Sequence, residues 1–315
     1  MSESKPKKIP MWSFALVLLP LVALLAYTYF SRAGQAGNGG SVDGEFVFDP
    51  GPVKELEIKG AAADGTSSWD DIAIPAAPPL DEKLAARGKE LYAKACAACH
   101  GVDGKGEGPA LSRLELNSRP ANFTTPVASI KIRSTQKGTL PAREDLFRTL
   151  TRGLPGTAML SFRNLPETDR WALAYRIEEF FVGGKKWPAA VALEVPKVLP
   201  KDDALMAEGN QEFHRWCQNC HGSDALGGTS FAFQMARQWP GVAFARRGGK
   251  FMLRGSKPED IVRTLMAGSS GSSPMMSFKP TFYGDEPNAH DMITGDRKLW
   301  GTAYYARKLI EDQNK

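Results

Sequence analysis

Hydrophobic and polar positions divide the chain into three kinds of sequence. Residues 11–30, MWSFALVLLPLVALLAYTYF, contain no charged side chain. At a rise of about 1.5 Å per residue, a helix of this length spans the roughly 30 Å hydrocarbon core of a bilayer. Residues 33–80 are rich in Gly, Ala, Pro and acidic side chains, which is typical of a linker. From residue 81 onward the sequence favours helices joined by Gly-, Ser- and Pro-rich loops. The pattern predicts an all-α protein after one N-terminal transmembrane helix.

The lysines ahead of the apolar segment predict its orientation. Lys5, Lys7 and Lys8 precede it, and positive charge favours the cytoplasmic side of a membrane. We therefore expect residues 1–32 to be a cytoplasmic tip and a single-pass anchor in the cytoplasmic (inner) membrane, with the rest of the chain on the periplasmic or outer face. The alternative is a cleaved signal peptide, whose apolar core is shorter, roughly 7–15 residues, and ends at a small-x-small site. Residues 34–36, GQA, are a poor version of that site.

Two segments without helical patterning separate the blocks. Residues 33–80 carry 2 basic and 8 acidic side chains. They are either an unstructured acidic linker or contain one short hairpin, Glu45–Phe48 with Leu56–Ile58. Residues 182–203 contain three prolines that prevent a continuous helix. The predicted helical domains are therefore residues 81–190 and 191–315.

The two helical blocks repeat the same landmarks in the same order. CAACHG at 96–101 recurs as CQNCHG at 217–222, an offset of 121 residues. EDLFRTLTRG at 144–153 recurs as EDIVRTLMAG at 259–268. Shorter matches follow, AMLSF at 158–162 with PMMSF at 274–278 and WALAY at 171–175 with WGTAY at 300–304. Ordered recurrence indicates an internal duplication, so we expect each block to be a small helical domain.

Each block contains one Cys-x-x-Cys-His motif, the attachment signature of haem c. Cysteines three residues apart project from one side of a helix, so both thiols can reach the vinyl groups on one haem edge while the histidine faces the iron. A disulfide would not require the histidine twice, and an all-cysteine zinc site would leave both histidines unused. The motifs predict two covalent haems c. The attachment residues are Cys96, Cys99 and His100 in the first block, and Cys217, Cys220 and His221 in the second.

A methionine in each block is the candidate for the second axial iron ligand. Met159 lies in GLPGTAMLSF and Met275 in GSSGSSPMMSF, loops that can carry a thioether across the distal face. Methionine often serves as adaptable core filler, but its recurrence at equivalent loop positions favours ligation. His214 precedes Cys217 on the same helix and is expected to be a surface or packing residue. The competing ligands for the second haem are Met276, Met292 and His290.

With these motifs, residues 81–315 resemble a membrane-anchored two-haem cytochrome c built from two class I-type domains in tandem. The resemblance implies that the Pro109 carbonyl accepts a hydrogen bond from the proximal imidazole of His100. It also implies that the first and last helices of each domain cross. The implied crossings are Gly88 and Tyr92 with Trp171 and Tyr175, and Gly209 and Phe213 with Trp300 and Tyr304.

Histidine and methionine together saturate the iron and raise its potential relative to two histidines. We therefore expect an electron carrier without independent enzymatic activity. It would take electrons from a quinol- or substrate-oxidising complex and pass them to a periplasmic acceptor or terminal oxidase. The alternatives are a two-haem cytochrome c peroxidase, and the cytochrome subunit of a larger oxidase or dehydrogenase complex. The expected partners are redox proteins and the membrane. A net charge of only +5, without a basic run and interleaved aromatics, excludes a nucleic-acid binder.

Overall fold

The computed structural model describes residues 67–112, 119–181, 187–230, 252–269, 275–313 and 315. These residues belong to one compact unit, Glu57–Lys315, and their regular elements are helices, which confirms the all-α class. The apolar segment 11–30 and the possible hairpin at 45–58 lie outside the described residues. Within the described ranges, no helix combines the length and the hydropathy that crossing a bilayer requires.

In the first half, residues 81–181, the first and last helices cross closely. The first begins at Asp81, whose side chain accepts the Leu84 N–H at 2.7 Å. At Gly88 an added Cβ would lie 2.3 Å from the Ala172 carbonyl oxygen, so a side chain would force the two helices apart. This confirms the predicted crossing. The helices are α1 Glu82–Ala95, α2 Ala97–His100, α3 Pro126–Ser129, α4 Arg143–Arg152 and α5 Glu167–Phe181, with a 3-10 turn at Pro109–Ser112.

The second half, residues 203–313, repeats this plan. Asp202 caps its first helix by accepting the Leu205 N–H at 2.7 Å. A Cβ on Gly209 would lie 1.9 Å from the Gly301 carbonyl oxygen, so the second crossing is confirmed as well. The helices are α6 Asp203–Glu212, α7 Gln218–His221, α8 Pro258–Ala267, α9 Lys279–Tyr283 and α10 Ala289–Asp312, with a π-helical turn at Phe213–Cys217.

An ion pair joins the crossing helices of each half, with opposite polarity in the two. In the first half Arg87 of α1 lies 2.7 Å from the Asp169 carboxylate of α5. In the second half the carboxylate is on the first helix, where Glu208 of α6 lies 2.6 Å from Arg297 of α10. Both crossings therefore carry an ion pair of reversed polarity, with Arg297 one position before the repeat equivalent of Asp169.

The connector, residues 187–202, contains no helix, as its prolines predict. Its backbone pairs with the first half, since the Gln136 N–H donates to the Val191 carbonyl at 2.8 Å and the Leu193 N–H donates to that of Ser134 at 2.9 Å. Its apolar side chains pack instead on the core of the second half. Those side chains are Leu193, Val195 and Leu199.

The end of the predicted linker packs against both halves. Trp69 is fully buried. Its indole Nε1 donates to the Thr149 hydroxyl at 3.1 Å, and its backbone N–H donates to the Arg254 carbonyl at 2.6 Å. The Arg254 guanidinium in turn donates to Asp70 at 2.9 Å and to the Arg133 carbonyl at 2.5 Å. Trp69 thus ties α4 of the first half to a loop of the second, through its side chain on one side and its backbone on the other.

Replacing Trp69 with alanine should therefore destabilise both halves together. We expect a loss of roughly 3–5 kcal/mol, the usual cost of truncating a buried aromatic side chain. Leu80→Ala is the control in the same segment, because Leu80 is 52% exposed, and it should change stability by less than about 0.5 kcal/mol. The measurement is denaturant unfolding of the detergent-solubilised chain. Equal losses in the two variants would contradict the packing described.

Candidate functional site

The first Cys-x-x-Cys-His motif begins where α1 ends. Cys96 is the C-cap of α1, and Cys99 and His100 complete the short helix α2. Cys96 is buried, Cys99 is half-buried, and both sulfurs are free thiols. Burial raises the pKa of the Cys96 thiol to about 12, so this sulfur is protonated at neutral pH. Gly101 ends the helix at φ 77°, a conformation that favours glycine.

The imidazole of His100 is fixed from two sides. Its Nδ1 lies 3.1 Å from the Ala121 carbonyl oxygen. Because a carbonyl only accepts, Nδ1 carries the proton and the lone pair of Nε2 is left for a metal. The ring of Phe123 stacks on the imidazole, with centroids 4.6 Å apart and planes 18° from parallel. Burial lowers the pKa of His100 to about 4, so the ring is neutral at physiological pH.

The prediction that the Pro109 carbonyl accepts the hydrogen bond from His100 is wrong. Pro109 begins the 3-10 turn Pro109–Ser112, and its carbonyl accepts a hydrogen bond from the Ser112 hydroxyl at 3.0 Å. The loop that carries Ala121 supplies the acceptor instead, 21 residues after His100.

Tyr92 has a role that the sequence did not indicate. It was expected only at the helix crossing, yet its hydroxyl also donates to the Gly101 carbonyl at 2.8 Å. Burial raises the pKa of this hydroxyl, which keeps it a donor. The hydrogen bond ties α1 to the residue that follows His100. The equivalent residue of the second half is Phe213, so the repeat comparison gives no signal for it.

The second motif is arranged similarly, although a π-helical turn leads into it instead of an α-helix. Cys217 is buried at the end of the π-helical turn, and Cys220 and His221 lie on α7. Burial raises the pKa of the Cys217 thiol to about 12, as it does for the first motif. Gly222 ends this helix at φ 80°, three degrees from the value at Gly101.

Met159 and Met275 occupy equivalent turns. The Leu154 N–H donates to the Met159 carbonyl at 3.1 Å, and the Ser269 N–H donates to the Met275 carbonyl at 3.0 Å. Each turn follows a glycine with positive φ. An added Cβ on either glycine would lie less than 3 Å from the methionine carbonyl, so glycine permits both turns. The glycines are Gly153 at φ 72° and Gly268 at φ 65°.

The two methionines pack inward in their own halves. Met159 packs against the buried cluster of Trp69, Ile132 and Leu154. Met275 packs against the core of the second half. The two other methionines considered for the second haem, Met276 and Met292, are 58% and 46% exposed. This packing favours Met275 over its neighbours, and iron ligation by either Met159 or Met275 stays a prediction.

Two histidines lie outside the motifs. The imidazole of His214 contacts a backbone carbonyl, and His290 is exposed. His214 lies on the attachment helix, as expected, and its Nδ1 lies 2.9 Å from the Asn210 carbonyl oxygen. His290 is exposed in the first turn of α10, where its backbone N–H donates to the Asn288 side chain at 2.8 Å. His290 is therefore placed as part of a helix cap.

Comparison with known proteins agrees with this geometry. Residues 83–175 match the family described as cytochrome c oxidase, cbb3-type, subunit III. Residues 83–175 are a cytochrome c domain. Such a domain implies haem c and electron transfer, and the second Cys-x-x-Cys-His motif, outside the matched residues, indicates a second haem site.

A solved structure extends the similarity beyond the cytochrome c domain. One chain of the reducing HAO-like protein complex of Kuenenia stuttgartiensis is 27% identical, with a TM-score of 0.58. The similarity covers 76% of this chain and 99% of that one. No curated protein matches.

The Tyr92 hydroxyl gives a test within the cytochrome c domain. Tyr92→Phe should cost about 1 kcal/mol, because it leaves the buried Gly101 carbonyl without this donor. Tyr305→Phe is the control, because the Tyr305 hydroxyl makes no hydrogen bond to another described residue. The free energy of unfolding in denaturant measures both. An unchanged value for Tyr92→Phe would mean that the hydroxyl does not hold the turn.

Proposed function

We propose that the chain relays single electrons through two covalently bound haems c, one in each half. The observation that supports this most strongly is the repetition of the attachment motif together with the methionine loop. In each half the Cys-x-x-Cys-His motif ends at a glycine with positive φ. Later in each half, the carbonyl of a methionine accepts a hydrogen bond from a backbone N–H at the start of its loop. A single motif could arise for another reason, but a repeated motif with a repeated loop favours one chemistry used twice.

The side chains fit the group they would hold. The first half offers Cys96 and Cys99 for the thioether bonds, a neutral His100 with its Nε2 available, and the thioether of Met159. When bound, haem c supplies a one-electron iron couple, and histidine–methionine ligation raises its potential relative to two histidines. The corresponding residues of the second half are Cys217, Cys220, His221 and Met275.

The surrounding residues orient the ligands and exclude water. The Ala121 carbonyl and the Phe123 ring hold the His100 imidazole in one orientation. The buried Trp69 packs behind the Met159 loop and fills space that water would occupy. With histidine and methionine both bound, the iron would have no open position for a substrate, so the repeated methionine loops favour a relay over a two-haem peroxidase.

The proposed location is the outer face of the cytoplasmic membrane, with residues 11–30 as the anchor. There the chain would receive electrons from a quinol- or substrate-oxidising complex and pass them to a periplasmic acceptor or terminal oxidase. The similar structure belongs to a protein complex, and the matching family is an oxidase subunit. Both similarities support redox-protein partners, and they favour a subunit of a larger complex as the second candidate. Co-purification in mild detergent distinguishes a subunit from a free carrier.

The mass of the native chain tests the proposal directly. We expect it to exceed the polypeptide mass by two haem groups. The double variant Cys217→Ser with Cys220→Ser should retain one haem, because the first motif is untouched. A native chain without added haem, or a double variant that still carries two, would overturn the proposal.

Met159→His tests the axial ligand of the first haem. We expect one of the two midpoint potentials to fall and the long-wavelength thioether-to-iron absorption band to weaken, because imidazole replaces the thioether. Met276→His is the matched control, since Met276 is 58% exposed and should leave both potentials unchanged. Redox titration followed by absorption measures both variants, and an unaltered spectrum for Met159→His would disqualify this ligand.

A further inference from the structure

We infer that the haem of the first half has the higher reduction potential, because buried positive charge surrounds its site and a buried carboxylate lies at the other. This inference rests on the proposed occupancy of both motifs. It assigns the thermodynamic direction of transfer, from the second half to the first.

Buried charged side chains are distributed unequally among the described residues. Two charged positions are the same in both halves, Arg133 with Arg254 and Asp145 with Asp260, at offsets of 121 and 115 residues. The others differ in charge. In the first half the additional buried charges are Lys131, Arg152 and Arg170, and in the second half the additional buried charge is Glu212.

Aligning the two repeats identifies the residue equivalent to each of these charged residues in the other half. Lys131 precedes Ile132-Arg133 as Met252 precedes Leu253-Arg254. The equivalents of Arg152 and Arg170 are Ala267, at the end of the EDIVRTLMAG repeat, and Leu299, ahead of Trp300. The equivalent of Glu212, at the offset of 121, is Leu91. Each additional charged residue is therefore equivalent to an uncharged residue in the other half.

Lys131 lies beside the proximal histidine. Its Nζ donates to the Arg119 carbonyl at 3.2 Å, two residues before Ala121, whose carbonyl accepts from His100. The ammonium group and the imidazole are therefore both held by the backbone of one short segment, Arg119 to Ala121.

The two arginines lie on the methionine side of the first site. Arg170 donates to the Thr151 hydroxyl at 2.5 Å, and the Thr151 carbonyl accepts from the Ser161 hydroxyl at 2.7 Å. Ser161 is two residues beyond Met159. Arg152, at the end of α4, donates to the carbonyl of Leu253, and Leu253 packs against the same buried cluster as Met159. Buried positive charge therefore lies near both the His100 acceptor segment and the Met159 turn.

The carboxylate of Glu212 lies beside the second attachment motif. It accepts a hydrogen bond from the Trp216 indole at 3.0 Å, and it is five residues before Cys217. The guanidinium of Arg215 also lies 3.7 Å from this carboxylate, but the Arg215 side chain is 65% exposed and that of Glu212 only 11%. Solvent therefore screens the positive charge more than the negative one, and the carboxylate charge dominates beside the cysteine that would anchor the haem.

These differences act in the same direction. Reduction adds one electron to the iron, so nearby positive charge favours the reduced state and nearby negative charge disfavours it. Buried charges are screened by solvent much less than exposed ones. The first site should therefore be reduced before the second.

Redox titration of the detergent-solubilised full chain at pH 7 tests this order. The unmodified protein should show two separate one-electron waves. Lys131→Met, which installs the residue of the second half, should lower the upper midpoint. Glu212→Leu, which installs the residue of the first half, should raise the lower midpoint. We expect each to change the oxidised-to-reduced ratio of one haem at least threefold, about 28 mV at about 59 mV per tenfold change.

Lys89→Met is the matched control, because Lys89 is an exposed lysine of α1 and its loss removes the same charge. It should shift neither wave by threefold. Arg170→Leu gives a second measurement on the first site, so the test does not depend on the folding of one variant.

The outcomes distinguish this inference from the proposed function. A protein without two haems fails the proposed function itself. With two haems present, coincident waves overturn the order of potentials. The same holds if Lys131→Met lowers the lower wave, if Glu212→Leu raises the upper wave, or if the exposed control shifts as far as the buried variants.

Discussion

The close crossing of the first and last helices, through a position without a side chain, determines where each motif lies. At Gly88 and Gly209 an added Cβ would lie 2.3 and 1.9 Å from a carbonyl oxygen of the opposing helix. Each motif begins eight residues after its glycine, so the direction in which its thiols project follows from the crossing. The cores and the methionine loops are arranged around that contact.

The sequence features that predicted correctly are local in origin. Cysteine spacing, glycine at a helix crossing and proline in a connector act through the residues that carry them. The acceptor for His100 is different in kind, because a backbone carbonyl has no side chain that marks it in a sequence. The path of the loop brings the Ala121 carbonyl to the imidazole. The prediction of Pro109 was wrong because it rested only on the position of this proline in the resembled family, and the Pro109 carbonyl accepts from Ser112 instead.

The packing of the end of the linker against both halves could not be predicted from composition either. Residues 67–80 share the Gly-, Ala- and acid-rich character of the preceding sequence, yet they contain Trp69 and Asp70, which contact both halves. A large aromatic residue in such a stretch was the available signal. With the connector bound to both halves as well, two separate segments restrain the halves, and this limits how far the two sites can separate.

The exchanged ion pairs have a consequence for how a duplicated chain assembles. If α1 associated with α10 at this position, Arg87 would meet Arg297, and if α6 associated with α5, Glu208 would meet Asp169. Partly exposed ion pairs add little to the stability of the correct fold. Like charges brought together by incorrect helix pairing destabilise that incorrect arrangement. Two related sequences on one polypeptide can exchange helices during folding. The reversed polarity therefore disfavours pairing the first helix of one half with the last helix of the other.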